Sequence, residues 1–341
     1  MTQGEVIIVD MKDLLSAQKR IHGVAINTPF IPSPFMSQFS NQEVLMKMET
    51  MQPIGAFKLR GALSAVAALP DGTTGVTCCS TGNHGRGVAY AAKSRGLRAV
   101  VCMSELVPQA KIDGIKALGA EVRIIGTSQD DAMQESHRLC AAEGLANISP
   151  FDDAHVIAGQ GTIGLEMLRK RPDLSTILVP LSGGGLAAGV ATAAKTINPN
   201  ITVIGISMDR GAAMYHSLRA GHPVEVAEHA SLADSLGGGI GQNNQLSFAM
   251  CRDLLDDTIL VTEDEIRHAM QVLFFEDRIV AEGASAVGHA AMLSGKLDHV
   301  KGPIGTIITG RNLDMPTFAQ IMAGNDVHLG DLFVKGTPYV T

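Results

Sequence analysis

From Gly75 onward the chain alternates short apolar runs with helix-like stretches, and this alternation constrains its fold more than any other feature. "GVTCCS" reads as a buried strand, "TGNHGRG" as a turn, and "GVAYAAKSRG" as a helix closed by Gly96. "RAVVCM" is the next strand, and "PQAKIDGIKALG" a helix with Pro108 at its start and Gly119 past its end. "EVRIIG" follows as a strand and "SQDDAMQESHRLCAAEG" as a helix with Ser128 in the capping position. A second series opens near Ser175 with strand "STILVPL", loop "SGGG", helix "LAAGVATAAKTI" and strand "ITVIGIS". It resumes with helix "TEDEIRHAMQVLFFED" and strand "GTIITG". Apolar runs as continuous as "TILVPL" and "GTIIT" imply a parallel sheet covered on both faces. The sequence therefore predicts an α/β chain of two lobes, with ligands at strand C-termini in the cleft between them.

Composition removes several classes of function. A formal charge of −7 argues against nonspecific attraction to nucleic acid or to an anionic membrane. No uncharged apolar run approaches the length of a membrane span. The N-terminal "MTQGEVIIVDMKDLL" lacks the basic-then-apolar order of a signal peptide, so the cytoplasm is the expected location. Cys78, Cys79, Cys102, Cys140 and Cys251 have no metal-ligand spacing and read as reduced, mostly buried thiols.

Two features carry chemistry. In "VPLSGGGLAAGV", Gly183, Gly184 and Gly185 join a buried strand to a helix, so an anion can approach unpaired helix N–H groups closely. In "MQPIGAFKLRGA", Lys58 sits among small and apolar residues, where a solvated lysine is out of place. Gly183, Gly185 and Gly189 form only a loose dinucleotide fingerprint, and the following strand has Ser207 where a ribose-binding acid belongs. No Gly-Lys-Ser/Thr follows, as a nucleotide P-loop requires. An anion loop combined with an isolated amine suggests pyridoxal phosphate, which needs both. A nicotinamide oxidoreductase and a non-catalytic phosphate-ligand sensor stay open, although each leaves Lys58 unexplained.

"GAFKLRGA", "CSTGNHGRGVAYAA", "PLSGGGLAAG" and "ITGRNLD" occur in the order and spacing of fold-type II pyridoxal-phosphate enzymes. The chain resembles their serine/threonine dehydratase and serine racemase branch from about residue 15 to 320, and includes a loop similar to that of hydroxyectoine-utilisation dehydratases. The resemblance implies a tryptophan-synthase-β-like architecture of two lobes with parallel-rich twisted sheets. It places a large cofactor-binding domain over 1–70 and 151–341 and a small mobile α/β domain over 75–150. It implies that Lys58 carries the cofactor and that Phe57 lies beside the ring. It further implies that Asn83 bonds the pyridoxal 3′-oxygen and that the amides of Gly183, Gly184, Gly185 and Leu186 hold the phosphate. The Ser80, Thr81, Gly82, Asn83, His84 turn is similar to the loop that takes the substrate carboxylate.

Departures from the pattern bear on the outcome. Thr309 stands where this family places a hydroxyl against the pyridine nitrogen, and a neutral hydroxyl favours elimination over transamination. Arg311 replaces a glycine of the usual Ser-Gly-Gly-Asn, and either shapes the substrate pocket as a substrate-binding residue, pairs with a carboxylate such as Glu282, or turns to solvent. Glu282 matches a family glutamate near the site, or is a helix N-terminal acid. Thr81 stands where racemases carry an active serine. Ser207 replaces a metal-binding glutamate and alanines stand near the second ligand, so no metal is expected unless Asp209 serves through a shifted geometry. Ser235 and Gly237 to Gly239 alter the pocket edge.

The expected chemistry is dehydration and deamination of a small 3-hydroxy-2-amino acid such as L-threonine or L-serine to a 2-oxo acid and ammonia. Lys58 acts as nucleophile and base, its pKa lowered by burial and by nearby Arg60 or the cofactor's pyridine. Alternatives are 3-hydroxyaspartate, a hydroxylated diaminobutyrate, or amino-acid racemisation. The resemblance also implies a homodimer or homotetramer.

Overall fold

The apolar runs that read as strands are paired in parallel and buried, as their composition requires. The computed structural model describes residues 9–80, 82–105, 107, 109–127 and 129–340. The chain opens with α1 (Met11–Ile21), β1 (Phe30–Pro32), α2 (Pro34–Ser40), β2 (Val44–Met48) and α3 (Lys58–Ala68). It continues through β3 (Gly75–Cys79), α4 (Asn83–Ser94), β4 (Arg98–Met103), α5 (Gln109–Lys116), β5 (Glu121–Ile124), α6 (Gln129–Glu143) and β6 (Ala146–Asn147). Next come α7 (Ala154–Lys170), β7 (Thr176–Pro180), α8 (Gly185–Ile197), β8 (Thr202–Met208), α9 (Ala213–Ala220) and α10 (Ser247–Leu254). The rest is β9 (Asp257–Val261), α11 (Glu263–Phe275), α12 (Gly283–Leu293), β10 (Ile304–Ile308), α13 (Met315–Met322) and the hairpin β11 (Val327–Leu329) with β12 (Leu332–Val334).

Six strands form one sheet in the order β1-β2-β10-β7-β8-β9, parallel except for β1. Four others, β5-β4-β3-β6, form a second and wholly parallel sheet. Along β7, Ile177 and Val179 join the apolar layer of α7 and α8, whereas Leu178 joins that of α11 and α12. Both faces of the larger sheet are thus covered, as the continuous apolar runs predicted. Gly161 and Gly189 let α7 and α8 meet backbone to backbone, since a Cβ built on Gly189 would lie 2.3 Å from Ile157 O and 2.6 Å from Gly161 N. Gly189 therefore serves helix packing rather than a dinucleotide fingerprint.

Three local readings need correction or comment. "TGNHGRG" is not all turn, because α4 already begins at Asn83. The Ser80 hydroxyl accepts from the N–H groups of Gly82 (3.3 Å) and Gly85 (3.1 Å), a cap that lets the helix start inside the glycine-rich stretch. Pro108 and Ser128, expected at the starts of α5 and α6, lie outside the described residues. Cys78, Cys79, Cys102 and Cys251 are buried, and Cys140 is partly exposed. No helix among the described residues is long and apolar enough to cross a membrane.

Candidate active site

The site is assembled at the carboxyl ends of β3, β7 and β10. The segment before α3 pairs briefly with the one after β10: Phe57 N–H donates to Thr309 O (2.9 Å), Arg311 N–H to Gly55 O (2.9 Å), and Ala56 bridges Gly310. This pairing sets Lys58, the first residue of α3, beside the end of β10. Phe57 is half-buried, and Lys58 Nζ stands 5.4 Å from the centroid of its ring. The same Nζ donates to Pro150 O at 2.7 Å. Burial pulls the Lys58 amine down from the ordinary lysine range to about 8.

Arg60 does not contribute to that shift, contrary to the expectation from sequence. Residues two apart on a helix point in different directions. The Arg60 side chain is buried on the far side, bonded to Glu49, Glu166, Thr162 and the Ile26 carbonyl.

The depressed amine has a measurable consequence. A folded pKa below the unfolded one means that the unfolded chain binds more protons between the two values, so stability rises with pH across that window. In cofactor-free protein, acylation of Lys58 followed by peptide mapping is expected to titrate with a midpoint at about pH 8. A midpoint in the ordinary lysine range, roughly 10.4, would contradict the enclosed amine.

Two helix N-termini face this region with amides to spare. At α8, Gly184 adopts a left-handed φ of +88° and gives the helix no side-chain cap. Among the described residues, the N–H groups of Gly183, Gly184, Gly185 and Leu186 find no acceptor, and the first α8 amide to find one is that of Ala188, on Gly184 O at 2.8 Å. A Cβ on Gly183 would sit 2.2 Å from the Phe151 ring, so the loop admits no side chain there. At α4, Ser80 takes up the amides of Gly82 and Gly85, and those of Asn83 and His84 are left without an acceptor among the described residues. Thr81, expected as a catalytic and substrate-binding residue, lies outside the described residues.

The side chains around these amides differ in part from expectation. Asn83 donates to both carboxylate oxygens of Glu282 (3.0 Å each) and accepts from Asn312 Nδ2 (2.6 Å). Glu282 is the N-cap residue of α12, but its carboxylate turns to the site and also accepts from Asn312 N–H (2.7 Å) and Ser235 Oγ (3.1 Å). Burial raises its pKa, opposed by the Asn83 and Asn312 hydrogen bonds. The predicted Arg311–Glu282 pair is not formed. Arg311 is exposed, and its Cγ lies 3.3 Å from where a Cβ of Gly55 would be. Glu282 already accepts four hydrogen bonds from three donor groups, so a guanidinium finds no free lone pair there.

Thr309 is buried, its hydroxyl 3.0 Å from Ser285 Oγ. His84 is buried with Nε2 on Ile148 O (2.8 Å) and Nδ1 unpartnered among the described residues. Burial first, then the Lys58 charge, pull its pKa down to about 3, so the imidazole is neutral. Ser207 is buried and bonds Met208 Sδ at 3.5 Å, and the acid that follows, Asp209, is exposed just beyond the strand. Sequence reading missed Pro150, Phe151, Ser285 and Asn312. Only the compact "SPFDD" beyond the second sheet hinted at the first two.

An enclosed amine of lowered pKa, an apolar ring beside it and a glycine cradle of free amides fit pyridoxal phosphate. The model of a family described as "Pyridoxal-phosphate dependent enzyme" matches residues 21–310. The chain belongs to that family. Within it, the chain is 49% identical to a Sinorhizobium fredii protein provisionally named a threonine dehydratase, over 94% of this chain and 97% of that one. It is 37% identical to the catabolic L-threonine dehydratase of Escherichia coli K12, over 92% and 96% of the two chains. The structure of maize serine racemase superposes with a TM-score of 0.88 at 33% identity, covering 93% of this chain and 97% of that one. The fold is thus that of a fold-type II pyridoxal-phosphate enzyme of the serine/threonine dehydratase group.

Proposed function

We propose that the protein is an ammonia-lyase that eliminates water from a small 3-hydroxy-2-amino acid, L-threonine or L-serine, giving a 2-oxo acid and ammonia. The observation that carries the reading is the amine of Lys58, which bonds Pro150 O near two helix N-termini whose free amides suit two anions. Threonine dehydratases at 37% and 49% identity over nearly the whole chain support it.

Pyridoxal phosphate, when bound, supplies the electron sink that acidifies the substrate α-carbon. In this reading the amides of Gly183 to Leu186 hold its phosphate, and Phe57 and Asn83 flank its ring. The Asn83 and His84 amides orient the substrate carboxylate. Lys58, whose lowered pKa of about 8 leaves a fraction of the amine unprotonated at physiological pH, receives the α-proton at Nζ. The Thr309 hydroxyl offers the ring a neutral partner, its orientation held by Ser285. Glu282 ties Asn83, on the small sheet's side, to Ser235 and Asn312 across the cleft. The segment 75–150 is read as the mobile lobe, and the enzyme as a cytoplasmic homo-oligomer, on resemblance.

The test is 2-oxo acid release from a panel holding L-threonine, L-serine, 3-hydroxyaspartate and a hydroxylated diaminobutyrate. Purified protein should also show a visible absorbance band that borohydride abolishes. Inertness across the panel, with chiral analysis showing inversion of serine, would replace the lyase by a racemase. A protein with no chromophore and no affinity for pyridoxal phosphate would sink both.

A further inference from the structure

We propose that Asp152 is a positioning residue which holds the Gly183–Gly185 loop and Lys58 in register; this rests on the cofactor reading above. Asp152 lies on the short crossover from β6 to α7, where its own N–H donates to Ser149 Oγ (3.1 Å) and most of its neighbours are fastened to other parts of the molecule. Ile148 N–H donates to Thr77 O (2.9 Å), and Ile148 O accepts from His84 Nε2 (2.8 Å). Pro150 O accepts from Lys58 Nζ (2.7 Å). Phe151 packs on Gly183 and Gly185 so closely that a Cβ on Gly185 would be 2.7 Å from Phe151 O. Asp153 caps α7 through Val156 N–H (2.8 Å).

Asp152 points the other way. Its carboxylate accepts from the N–H groups of Gln245 (2.6 Å), Leu246 (2.8 Å) and Ser247 (2.8 Å), the start of α10. Asn244 Oδ1 takes the next amide, that of Phe248 (2.9 Å). An anion at a helix N-terminus is favoured both by these bonds and by the helix dipole. The consequence reaches the anion loop because α10 is its backing: Cys251 Sγ bonds Gly184 O (3.5 Å), and a Cβ on Gly184 would meet Cys251 Sγ at 2.9 Å and Ser247 Cβ at 3.3 Å. Asp152 therefore fixes the loop from two sides, through α10 behind it and through its chain neighbour Phe151 in front. The carbonyl facing Lys58 is two residues away. Asp152 has no contact with Lys58 or the glycines, so its effect is on their alignment.

Removing the carboxylate leaves three amides without an acceptor, which frays the first turn of α10 and frees Phe151 and Pro150. The anion cradle then loosens and water reaches Lys58. Asp152→Ala is expected to weaken the binding of pyridoxal phosphate to cofactor-free protein by about tenfold, the share of a lost charged hydrogen bond that reaches the cradle. The gain in Tm on loading the enzyme should shrink, and the Lys58 acylation midpoint should rise above about 8. Asp152→Asn keeps an oxygen for Leu246 and Ser247 but sets an NH₂ against Gln245 N–H, and should fall between Asp152→Ala and wild type. A purely structural role predicts something else: Tm lowered equally with and without cofactor, and wild-type cofactor affinity and Lys58 midpoint. That result, in Asp152→Ala or, where this variant does not fold, in Asp152→Asn, overturns the proposal. A wild-type protein that binds no pyridoxal phosphate overturns instead the reading beneath it.

Discussion

Lys58→Ala is expected to lower 2-oxo acid release by about 10³-fold or more, because one amine serves as both nucleophile and base. The two roles act in sequence on one substrate, so their losses do not simply multiply. The fold should survive. Lys58 is the first residue of α3, and the hydrogen bond its side chain makes among the described residues is to Pro150 O. The glycine cradle and its free amides are unchanged, so the variant should still bind pyridoxal phosphate, without a band that borohydride fixes to the protein. Removal of an amine held near a pKa of about 8 also removes a buried-charge penalty below that pH, so Tm at neutral pH should not fall much. Measured turnover equal to wild type, with cofactor bound, would remove Lys58 from the mechanism.

Much of this site was legible because its parts are local. The Gly183–Gly185 junction is a strand, a turn and a helix start within one short run, and parallel strands such as β7 and β10 are buried along their whole length and mostly apolar. Other parts were set by residues far apart in the chain. β2 carries Lys47, which breaks its apolar run, and only Glu166 on α7 and the Thr28 carbonyl explain why it is buried there. α4 begins earlier than its glycines suggested because the Ser80 hydroxyl reaches two amides. Arg60 was expected to lower the Lys58 pKa by adjacency, although helical geometry turns it away. Arg311 looked like a partner for Glu282, but Asn83, Ser235 and Asn312 come from three other segments to fill that carboxylate. Asp152 gave no local signal at all, since the N–H groups that donate to its carboxylate lie at the start of α10, 93 to 95 positions away.

The largest effect on stability is expected from Glu49→Ala. Glu49 is buried below α3 and accepts from Arg60 Nε and Nη2 (2.8 Å each), Thr28 Oγ1 (2.6 Å) and Gln52 Nε2 (3.2 Å). Arg60 also reaches Glu166, which pairs with Lys47, so two carboxylates face two cations with almost no water. Burial raises the Glu49 pKa, but the Arg60 charge and hydrogen bonds outweigh it and hold the carboxyl below the usual range. Burial likewise opposes the Arg60 charge, and Glu49 with Glu166 overcomes it. Such a group is not strongly stabilising as a whole, because desolvation offsets much of the attraction. Deleting one partner is another matter: it strands a guanidinium in the interior and costs about 3–5 kcal/mol. Arg60 is on the helix that Lys58 opens, so the same change should loosen α3 against β2 and α7 and lower activity in proportion to unfolding. Glu49→Gln, which keeps an acceptor but not the charge, should cost less. The sign with pH follows from the depressed carboxyl. Its contribution is fully present above the ordinary carboxylate range and is lost as pH falls through the folded pKa, so the gap between wild type and Glu49→Ala should narrow in acid. Urea unfolding at several pH values measures both quantities. A Glu49→Ala protein within about 1 kcal/mol of wild type at neutral pH would mean that water, rather than Glu49, compensates Arg60.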